Sequence, residues 1–268
     1  MQMKSKIKNM PIALTIAGSD SGGGAGIQTD LKTFAALGIH GTSAITCITA
    51  QNPLGVSGIQ AIRAGMVRAQ IEAVFTELRP AAVKTGMLFS AETIRVVAEY
   101  FSKRRGLPLV VDPVMVATSG AVLLKPLAIC DLKTRLLPLA TLVTPNLDEA
   151  EILIGRKLCS LLDLRNAARE IHERFGSAVL VKGGHLRNER SAVDVLFDGK
   201  GCEEFLAQRV RGVSTHGTGC MYSAAITAYL SRGESLSRAV ALAKKFITRA
   251  ISRSQTAAGH SILNPFAR

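Results

Sequence analysis

The sequence has no tryptophan, and aromatic residues make up only 4% of its 268 residues. Proteins that bind single-stranded nucleic acids stack the bases on aromatic side chains, so this scarcity argues against a nucleic-acid partner. The formal net charge of +13 would favour such a partner, but the basic residues are dispersed and cluster only briefly, at 103–105 and 244–245. A surface that attracts anionic substrates, or a proteome that is basic throughout, accounts for the charge as well.

Long apolar runs are missing too. No stretch approaches the roughly 20 residues of a membrane-spanning helix, so we expect no membrane partner. Lys4, Lys6 and Lys8 precede the apolar run 10–17, and together they imitate a secretory signal. That run is short and leads directly into a glycine-rich stretch, which favours a buried first strand. We therefore predict a flexible basic leader over residues 1–10, followed by folded chain.

The five cysteines contain no Cys-x-x-Cys pair, and no histidine lies at zinc-ligand spacing from them. A scattered, odd-numbered set argues against a disulfide framework and against a structural metal site. It predicts a protein of the reducing cytoplasm.

No linker, internal repeat or low-complexity tract interrupts the chain, so we predict a single domain. Apolar strand patterns alternate with helical patterns almost throughout, which predicts an α/β fold with a mostly parallel central sheet and helices on both faces. The predicted strands are 11–17, 43–49, 56–62, 81–85, 107–111, 139–143, 178–181, 191–197 and 203–210. In open sheets of this class, ligands bind beyond the carboxyl ends of the strands.

Two glycine-containing turns are candidates for phosphate binding. Residues 18–26 contain five glycines but match neither the Rossmann nor the Walker pattern, so a phosphate cradle, a pliable lid and a plain turn all remain open. The segment 215–220, Thr-His-Gly-Thr-Gly-Cys, leads into a helical pattern, and helix N-termini hold anions. The field there should favour the thiolate of Cys220, which predicts a phosphoryl-transfer site. A small core cysteine after an ordinary turn is the alternative.

Polar residues follow several predicted strands. Asp112 comes directly after the apolar run 107–111, which favours a role in binding Mg²⁺ or ordering phosphates. Asn146 and Glu149 stand one helical turn apart, where they can hold Mg²⁺ through waters, cap a helix, or do both. Lys182 ends a strand beside two glycines, a position that suits an ATP phosphate.

Two further side chains are candidates for substrate contacts. Asp30 lies in the first turns of a helix, where a carboxylate either stabilises the helix N-terminus or contacts a substrate. Gln51 follows a strand, and its amide both donates and accepts, which matches the edge of a neutral heteroaromatic ring. With the preceding groups, these residues describe an ATP-dependent kinase that lacks a P-loop.

Seven motifs together point to one family. They are the opening Ala-Leu-Thr-Ile-Ala-Gly-Ser-Asp-Ser-Gly-Gly-Gly-Ala-Gly and its continuation to Phe34 (13–34), Thr-Ala-Gln-Asn (49–52), Lys-Thr-Gly-Met-Leu (84–88), Val-Asp-Pro-Val-Met (111–115), Thr-Pro-Asn-Leu-x-Glu-Ala (144–150), Val-Lys-Gly-Gly-His (181–185) and Thr-His-Gly-Thr-Gly-Cys (215–220). From about residue 12 onwards, the chain resembles the hydroxymethylpyrimidine/phosphomethylpyrimidine kinases of thiamine biosynthesis, members of the ribokinase-like superfamily.

The resemblance implies a three-layer α/β/α kinase domain over 11–268 that uses ATP and Mg²⁺. The family phosphorylates 4-amino-5-hydroxymethyl-2-methylpyrimidine and then converts the monophosphate to the pyrophosphate. Analogy with the superfamily implies a homodimer. Because 268 residues leave no room for it, we expect no fused thiamine-phosphate synthase.

The residues and the resemblance together give each candidate a role. The resemblance implies that the pyrimidine is held by Gly18, Asp30, Gln51, Met87 and Val114. Nucleotide binding is assigned to Asn146, Lys182, Thr215 and Gly219, and metal binding to Asp112 and Glu149. Catalysis is assigned to Lys182, to an anion hole formed by Gly217, Thr218 and Gly219, and to Cys220 as the base.

Two rival functions remain open. Some cysteine-containing members of the family phosphorylate pyridoxal, but Gln51 favours the aminopyrimidine, because a buried amide left unpaired penalises the wrong ligand. A non-catalytic pyrimidine or thiamine sensor is the second rival. Asp112, Glu149, Lys182 and Cys220 argue against it, because a sensor has no need for all four.

Overall fold

The computed structural model describes residues 9–115, 124–184, 186, 191–210, 212–213 and 216–267. Most of the predicted basic leader therefore lies outside the described residues. Among those residues, no helix combines the length and apolar character needed to span a bilayer.

The central sheet has nine strands in the spatial order β3-β2-β1-β4-β5-β6-β7-β8-β9. They are β1 (Ile12–Asp20), β2 (His40–Asn52), β3 (Gly55–Ala61), β4 (Ala82–Thr85), β5 (Leu109–Val111), β6 (Leu142–Val143), β7 (Ala178–Lys182), β8 (Ser191–Phe197) and β9 (Cys202–Gln208). Six strands run parallel to one another: β1, β2, β4, β5, β6 and β7. The pairs β2–β3, β7–β8 and β8–β9 are antiparallel. The predicted, mostly parallel α/β sheet is confirmed.

Eight α-helices cover the two faces of the sheet. They are α1 (Gly26–Ala36), α2 (Ala64–Glu77), α3 (Ala91–Ser102), α4 (Pro126–Asp131), α5 (Leu147–Ile154), α6 (Leu161–Phe175), α7 (Thr218–Ser231) and α8 (Leu236–Ser252), as described for the ranges given above. Successive side chains of a strand point to opposite faces. In β5, Leu109 and Val111 accordingly pack with α2 to α6, whereas Val110 packs with α7 and α8.

Two segments differ from the sequence prediction. The helix expected at 127–137 is α4 followed by a π-helical turn (Leu132–Leu136) and a 3₁₀ turn (Leu137–Leu139). Pro138 lacks the N–H that would continue a regular helix, which accounts for the irregular ending. The strand expected at 139–143 is reduced to β6, and the 3₁₀ turn includes the first of its expected residues, Leu139. A small terminal hairpin, β10 (Gln255–Ala257) and β11 (His260–Ile262), was not predicted.

Candidate active site

A cavity of about 310 Å³ opens beyond the carboxyl ends of the parallel strands, where the fold class places ligands. The predicted residues that line it are Gly18, Gln51, Met87, Asp112, Val114, Asn146, Glu149, Lys182, Gly217, Thr218, Gly219 and Cys220. Asp30 is not among its lining residues, and Thr215 lies outside the described residues. Parallel strands bring their carboxyl ends to one edge, so groups more than 160 positions apart in sequence share one cavity.

The centre of the cavity is an ion pair between Asp112 and Lys182, with Lys182 Nζ 2.9 Å from Asp112 Oδ1. The hydroxyl of Thr144 donates to Asp112 Oδ1 at 3.2 Å, and that of Ser223 donates to Oδ2 at 3.1 Å. Burial would raise the pKa of Asp112, but Lys182 and Lys84 lower it below its ordinary value. Burial would likewise lower the pKa of Lys182, yet Asp112 and Glu149 raise it. Both groups are therefore charged at neutral pH.

Asn146 and Glu149 form a capping box at the start of α5. Asn146 Oδ1 accepts from Glu149 N, and Glu149 Oε2 accepts from Asn146 N, both at 2.9 Å. The backbone N–H of Met115 donates to the other oxygen, Oε1, at 3.3 Å. The predicted capping box is thus confirmed, and both Asn146 and Glu149 also lie at the cavity wall. Burial, reinforced by Asp112 and opposed by Lys182, raises the pKa of Glu149 to about 7.

This raised pKa predicts a pH-dependent stability. The folded chain binds the Glu149 proton more tightly than the unfolded chain, whose pKa is near 4.5. The resulting stabilisation is full below pH 4.5 and is lost as the pH rises through about 7. Relative to the wild type, Glu149→Gln should therefore gain on the order of 3 kcal/mol in free energy of unfolding between acidic and mildly alkaline pH. Denaturant titrations without ligands or divalent cations measure this, and a difference independent of pH would contradict it.

The N-terminus of α7 meets the ion pair directly. A Cβ added to Gly219 would lie 3.2 Å from Lys182 Nζ and 3.9 Å from Asp112 Oδ2. The hydroxyl of Thr218 is buried and has no hydrogen-bond partner within the part of the chain that the structure describes. The unpaired N–H groups of a first helical turn attract anions. An anion beside Lys182 would therefore find donors from the helix, from the ammonium and from Thr218.

The protonation state of Cys220 differs from the sequence prediction. The helix field was expected to favour its thiolate, but burial, with contributions from Asp30 and Asp112, raises the pKa of Cys220 to about 11. The positive charge of Lys84 and a backbone hydrogen bond from Gly26 act in the opposite direction and lower this pKa. The removal of water from the sulfur outweighs the field of the helix. In the ligand-free site Cys220 is a thiol.

The two glycine turns are in direct contact. Asp20 organises the turn 18–26, because its carboxylate accepts the N–H groups of Gly22 at 2.8 Å, Gly24 at 3.1 Å and Ala25 at 2.8 Å. Gly217 has φ +78°, and a Cβ there would overlap the carbonyl oxygen of Gly24. Glycine is thus required at position 217 both by the backbone angle and by the approach of the other turn.

We expect Gly217→Ala to lower kcat/KM for ATP by about tenfold or more, because it forces the two turns apart and displaces the N-terminus of α7. Gly176→Ala is the matched control. Gly176 has φ +77°, but among the described residues no atom outside its immediate chain neighbours lies within 4 Å of an added Cβ. Both variants carry the backbone strain, and only Gly217→Ala carries the collision. Steady-state kinetics that show equal losses in the two variants would attribute the effect to strain alone.

The structure corrects the interpretation of Asp30 as a direct substrate contact. Its side chain is fully buried, with Oδ1 2.6 Å from Lys84 Nζ and Oδ2 2.6 Å from the hydroxyl of Thr15. Lys84 lines the cavity instead. Burial would lower the pKa of Lys84, but Asp30, Cys220 and Asp112 raise it, so the ammonium is retained. Asp30 therefore acts as the internal counter-charge of Lys84.

Gln51 presents its amide near the glycine turns. Its Oε1 accepts from the hydroxyl of Thr49 at 3.1 Å, and its Nε2 lies 3.4 Å from His216 Nε2. Across the cavity, Val114 adopts φ +41°, a backbone angle that is unfavourable for a β-branched residue. Strain of this kind persists where the surroundings hold it, and it is concentrated at functional sites.

Several site residues escaped the sequence analysis. Asp20, Lys84, Asp194 and Ser223 all contribute polar groups at or behind the cavity. Asp20 sits inside the glycine-rich turn and Lys84 inside a quoted motif, so position alone could have drawn attention to both. Ser223 lies one helical turn after Gly219, a spacing that gives no signal until the helix is placed.

Comparison with known proteins agrees with this geometry. The family model for phosphomethylpyrimidine kinase matches residues 20–265. The chain is 50% identical over 242 residues to a hydroxymethylpyrimidine/phosphomethylpyrimidine kinase of Rhizobium meliloti, covering 90% of each chain. It is also 50% identical over 252 residues to a bifunctional thiamine biosynthesis protein of Geobacter sulfurreducens. That match covers 94% of this chain but spans only about half, 51%, of the longer protein.

Two solved structures show the same fold. A phosphomethylpyrimidine kinase from Clostridium difficile 630 superposes with a TM-score of 0.80 at 44% identity, covering 90% of this chain and 99% of that one. Pyridoxal kinase from Staphylococcus aureus, in complex with AMP-PCP and pyridoxal, gives a TM-score of 0.88 at 34% identity over 97% and 95% of the two chains. The predicted ribokinase-like fold is confirmed, and the chain belongs to the phosphomethylpyrimidine kinase family.

Proposed function

We propose that this protein phosphorylates 4-amino-5-hydroxymethyl-2-methylpyrimidine with ATP, and then its monophosphate to the pyrophosphate, in thiamine biosynthesis. The observation that carries the proposal is the convergence of Lys182, Asp112 and the N-terminus of α7 on one cavity, in a chain of this family. We further infer that residues 11–268 act as one kinase domain. The free cysteines support a cytoplasmic location.

The phosphates of ATP are placed at the anion hole of Gly217, Thr218 and Gly219. Lys182 neutralises charge on the transferred group, and the unpaired hydroxyl of Thr218 donates to a phosphate oxygen. Asn146, on the cavity wall, and Thr215 complete the proposed nucleotide contacts. Phosphoryl transfer passes through a loose transition state, so positioning and neutralisation of charge supply most of the acceleration.

Asp112 and Glu149 fit a Mg²⁺ site. Both are oxygen donors at the cavity wall, and the charge of Asp112 helps to raise the pKa of Glu149, a repulsion that a cation would relieve. Across the described ranges no cluster of three or more His, Cys, Asp or Glu could hold a metal, so water and phosphate oxygens would supply the remaining ligands. When bound, Mg²⁺ would neutralise the charge that develops on the phosphates.

Cys220 is the proposed base for the hydroxymethyl proton of the substrate. Lys84 lowers the pKa of its thiol against the effect of burial, because a positive charge favours the thiolate. The pyrimidine ring would lie against Gly18, Met87 and Val114, with the Gln51 amide pairing with the ring edge.

The decisive experiment measures ATP consumption by the purified protein with Mg²⁺, offering the hydroxymethylpyrimidine, its monophosphate and pyridoxal in parallel. Turnover of both pyrimidines, with much poorer turnover of pyridoxal, is expected. Turnover of pyridoxal alone would reassign the protein to vitamin B6 salvage, and a protein of the same fold is a pyridoxal kinase of Staphylococcus aureus. Binding of a pyrimidine without turnover of any substrate would instead favour the sensor.

The edge of the sheet at β3 supports a homodimer. Strand β3 has no neighbour on its outer side in the described sheet. Ile48 on β2, Ile59 on β3 and Leu54 in the turn between these strands are exposed. Open edges and exposed apolar groups favour association with a second copy. Sedimentation velocity is expected to report a dimer, with Leu54→Asp shifting it towards monomer. A wild-type monomer at micromolar concentration would contradict the proposal.

A further inference from the structure

A second buried ion pair lines the same cavity and has no part in the reaction proposed above. Asp194 on β8 and Lys244 on α8 approach to 2.6 Å between Oδ2 and Nζ, and both side chains are at most 10% exposed. Removing two charges from water costs about as much as their attraction returns, so such a pair adds little net stability. Stability alone therefore does not explain why Asp194 and Lys244 are charged and buried.

The other oxygen of Asp194 holds the residue that follows Lys182. The backbone N–H of Gly183 donates to Asp194 Oδ1 at 3.1 Å, and Asp194 is the cross-strand partner of Lys182 in the antiparallel β7–β8 ladder. A Cβ at Gly183 would overlap the carbonyl oxygen of Val193, so this glycine lies directly against β8. The backbone at Lys182 and Gly183 is thus fixed to β8 by two independent contacts.

We propose that Asp194 is a positioning residue for phosphoryl transfer, with Lys244 as its counter-charge. By holding Gly183 it fixes the stem of Lys182, whose ammonium must reach both Asp112 and the space beside Gly219. The inference rests on the proposed function, because it requires Lys182 to contact the phosphates of ATP. Lysine has a flexible four-carbon stem, so the position of its backbone determines how well its ammonium is aimed.

The test uses a variant without the ion pair and without the Gly183 bond. Asp194→Ala combined with Lys244→Met leaves no lone buried charge, and it should lower kcat/KM for ATP by roughly tenfold to a hundredfold. Asp194→Asn combined with Lys244→Met keeps an amide oxygen for Gly183 and should recover most of that loss. Asp131→Asn is the matched control, because Asp131 is a buried carboxylate paired with Arg95 and Arg135 outside the cavity.

Two readouts separate positioning from a structural role. Binding of adenosine, which has no phosphates, should change by less than about twofold in the Ala/Met variant, because only the phosphate contact is misaligned. In a Lys182→Ala background, adding the Ala/Met pair should have little further effect, since Asp194 acts through Lys182. Equal losses for adenosine and ATP, or additive losses with Lys182→Ala, would overturn the inference while leaving the proposed function standing.

A different result, obtained with Lys182→Ala, would contradict the proposed function itself. Lys182→Ala alone is expected to lower kcat/KM for ATP by more than any of the Asp194 variants. An unchanged kcat/KM in Lys182→Ala would overturn the phosphate role of Lys182, and the positioning role of Asp194 with it. Thermal unfolding of every variant confirms that the kinetics are measured on folded protein.

Discussion

Replacing Cys220 by alanine is expected to lower kcat by about 10²- to 10⁴-fold, the usual contribution of a positioned general base, while ATP binding changes little. The side chain lies in the first turn of α7 and lines the cavity, within the electrostatic influence of Lys84. Steady-state kinetics on Cys220→Ala and a direct measurement of ATP affinity test this together. Cys159→Ala, which removes an exposed cysteine elsewhere, is the control.

The pH profile gives the same prediction a second test. A base must be deprotonated to act, and burial raises the pKa of Cys220 to about 11 in the ligand-free site. Because kcat/KM reports the free enzyme, kcat/KM of the wild type should rise with pH through the alkaline range. The variant should lose this rise, because it has no titrating sulfur. Unchanged turnover in Cys220→Ala would remove the thiol from the mechanism, and a flat wild-type profile would remove it as the base.

Replacing Asp30 by alanine is expected to lower the free energy of unfolding by about 3–5 kcal/mol. The change leaves the ammonium of Lys84 buried without its partner, whose Oδ1 lies 2.6 Å away in the native protein. Removing both charges, as in Asp30→Leu combined with Lys84→Met, should recover much of this loss, because an apolar pair carries no desolvation cost. Denaturant unfolding measures both effects.

An exposed ion pair supplies the comparison for this experiment. Glu72→Gln removes one of the two acidic partners of Arg68 on the surface of α2. Water replaces the lost interaction there, so stability should scarcely change. If Asp30→Ala behaved like Glu72→Gln, the buried pair would not be the electrostatic unit described above. The apolar double variant should still lose activity, because Lys84 lowers the pKa of Cys220.

The fold and most of the cavity followed from local pattern. Alternating strand and helix periodicity predicts the parallel sheet, and the rule for strand ends then predicts that Asp112 and Lys182 lie close together. The capping box of Asn146 and Glu149 is a contact within one helical turn, which spacing alone can predict. These successes share a cause: each depends on neighbours in sequence or on the direction of a strand.

The failures depend on packing between distant segments. Asp30 and Lys84 are 54 positions apart, so no pattern in the neighbouring sequence predicts that α1 and β4 bury them as an ion pair. The expectation for Cys220 considered the field of its helix, whereas the pKa is set by how completely the surrounding elements exclude water. The contact of Asp194 with the backbone after Lys182 likewise depends on the pairing of β8 with β7, which the sequence around Asp194 does not indicate. Sequence identified the chemical groups, and tertiary packing decides their protonation and partners.

The contact between Gly24 and Gly217 has a consequence for how the protein matures. The two turns are almost two hundred positions apart, and α7 packs against α1, so the cavity is complete only once α7 has packed against α1. Synthesis delivers the N-terminal strands first, and contacts of long range form late. Nascent or truncated chains that lack α7 should therefore be wholly inactive rather than weakly active. Kinase activity is then expected only from chains in which all sides of the cavity are present.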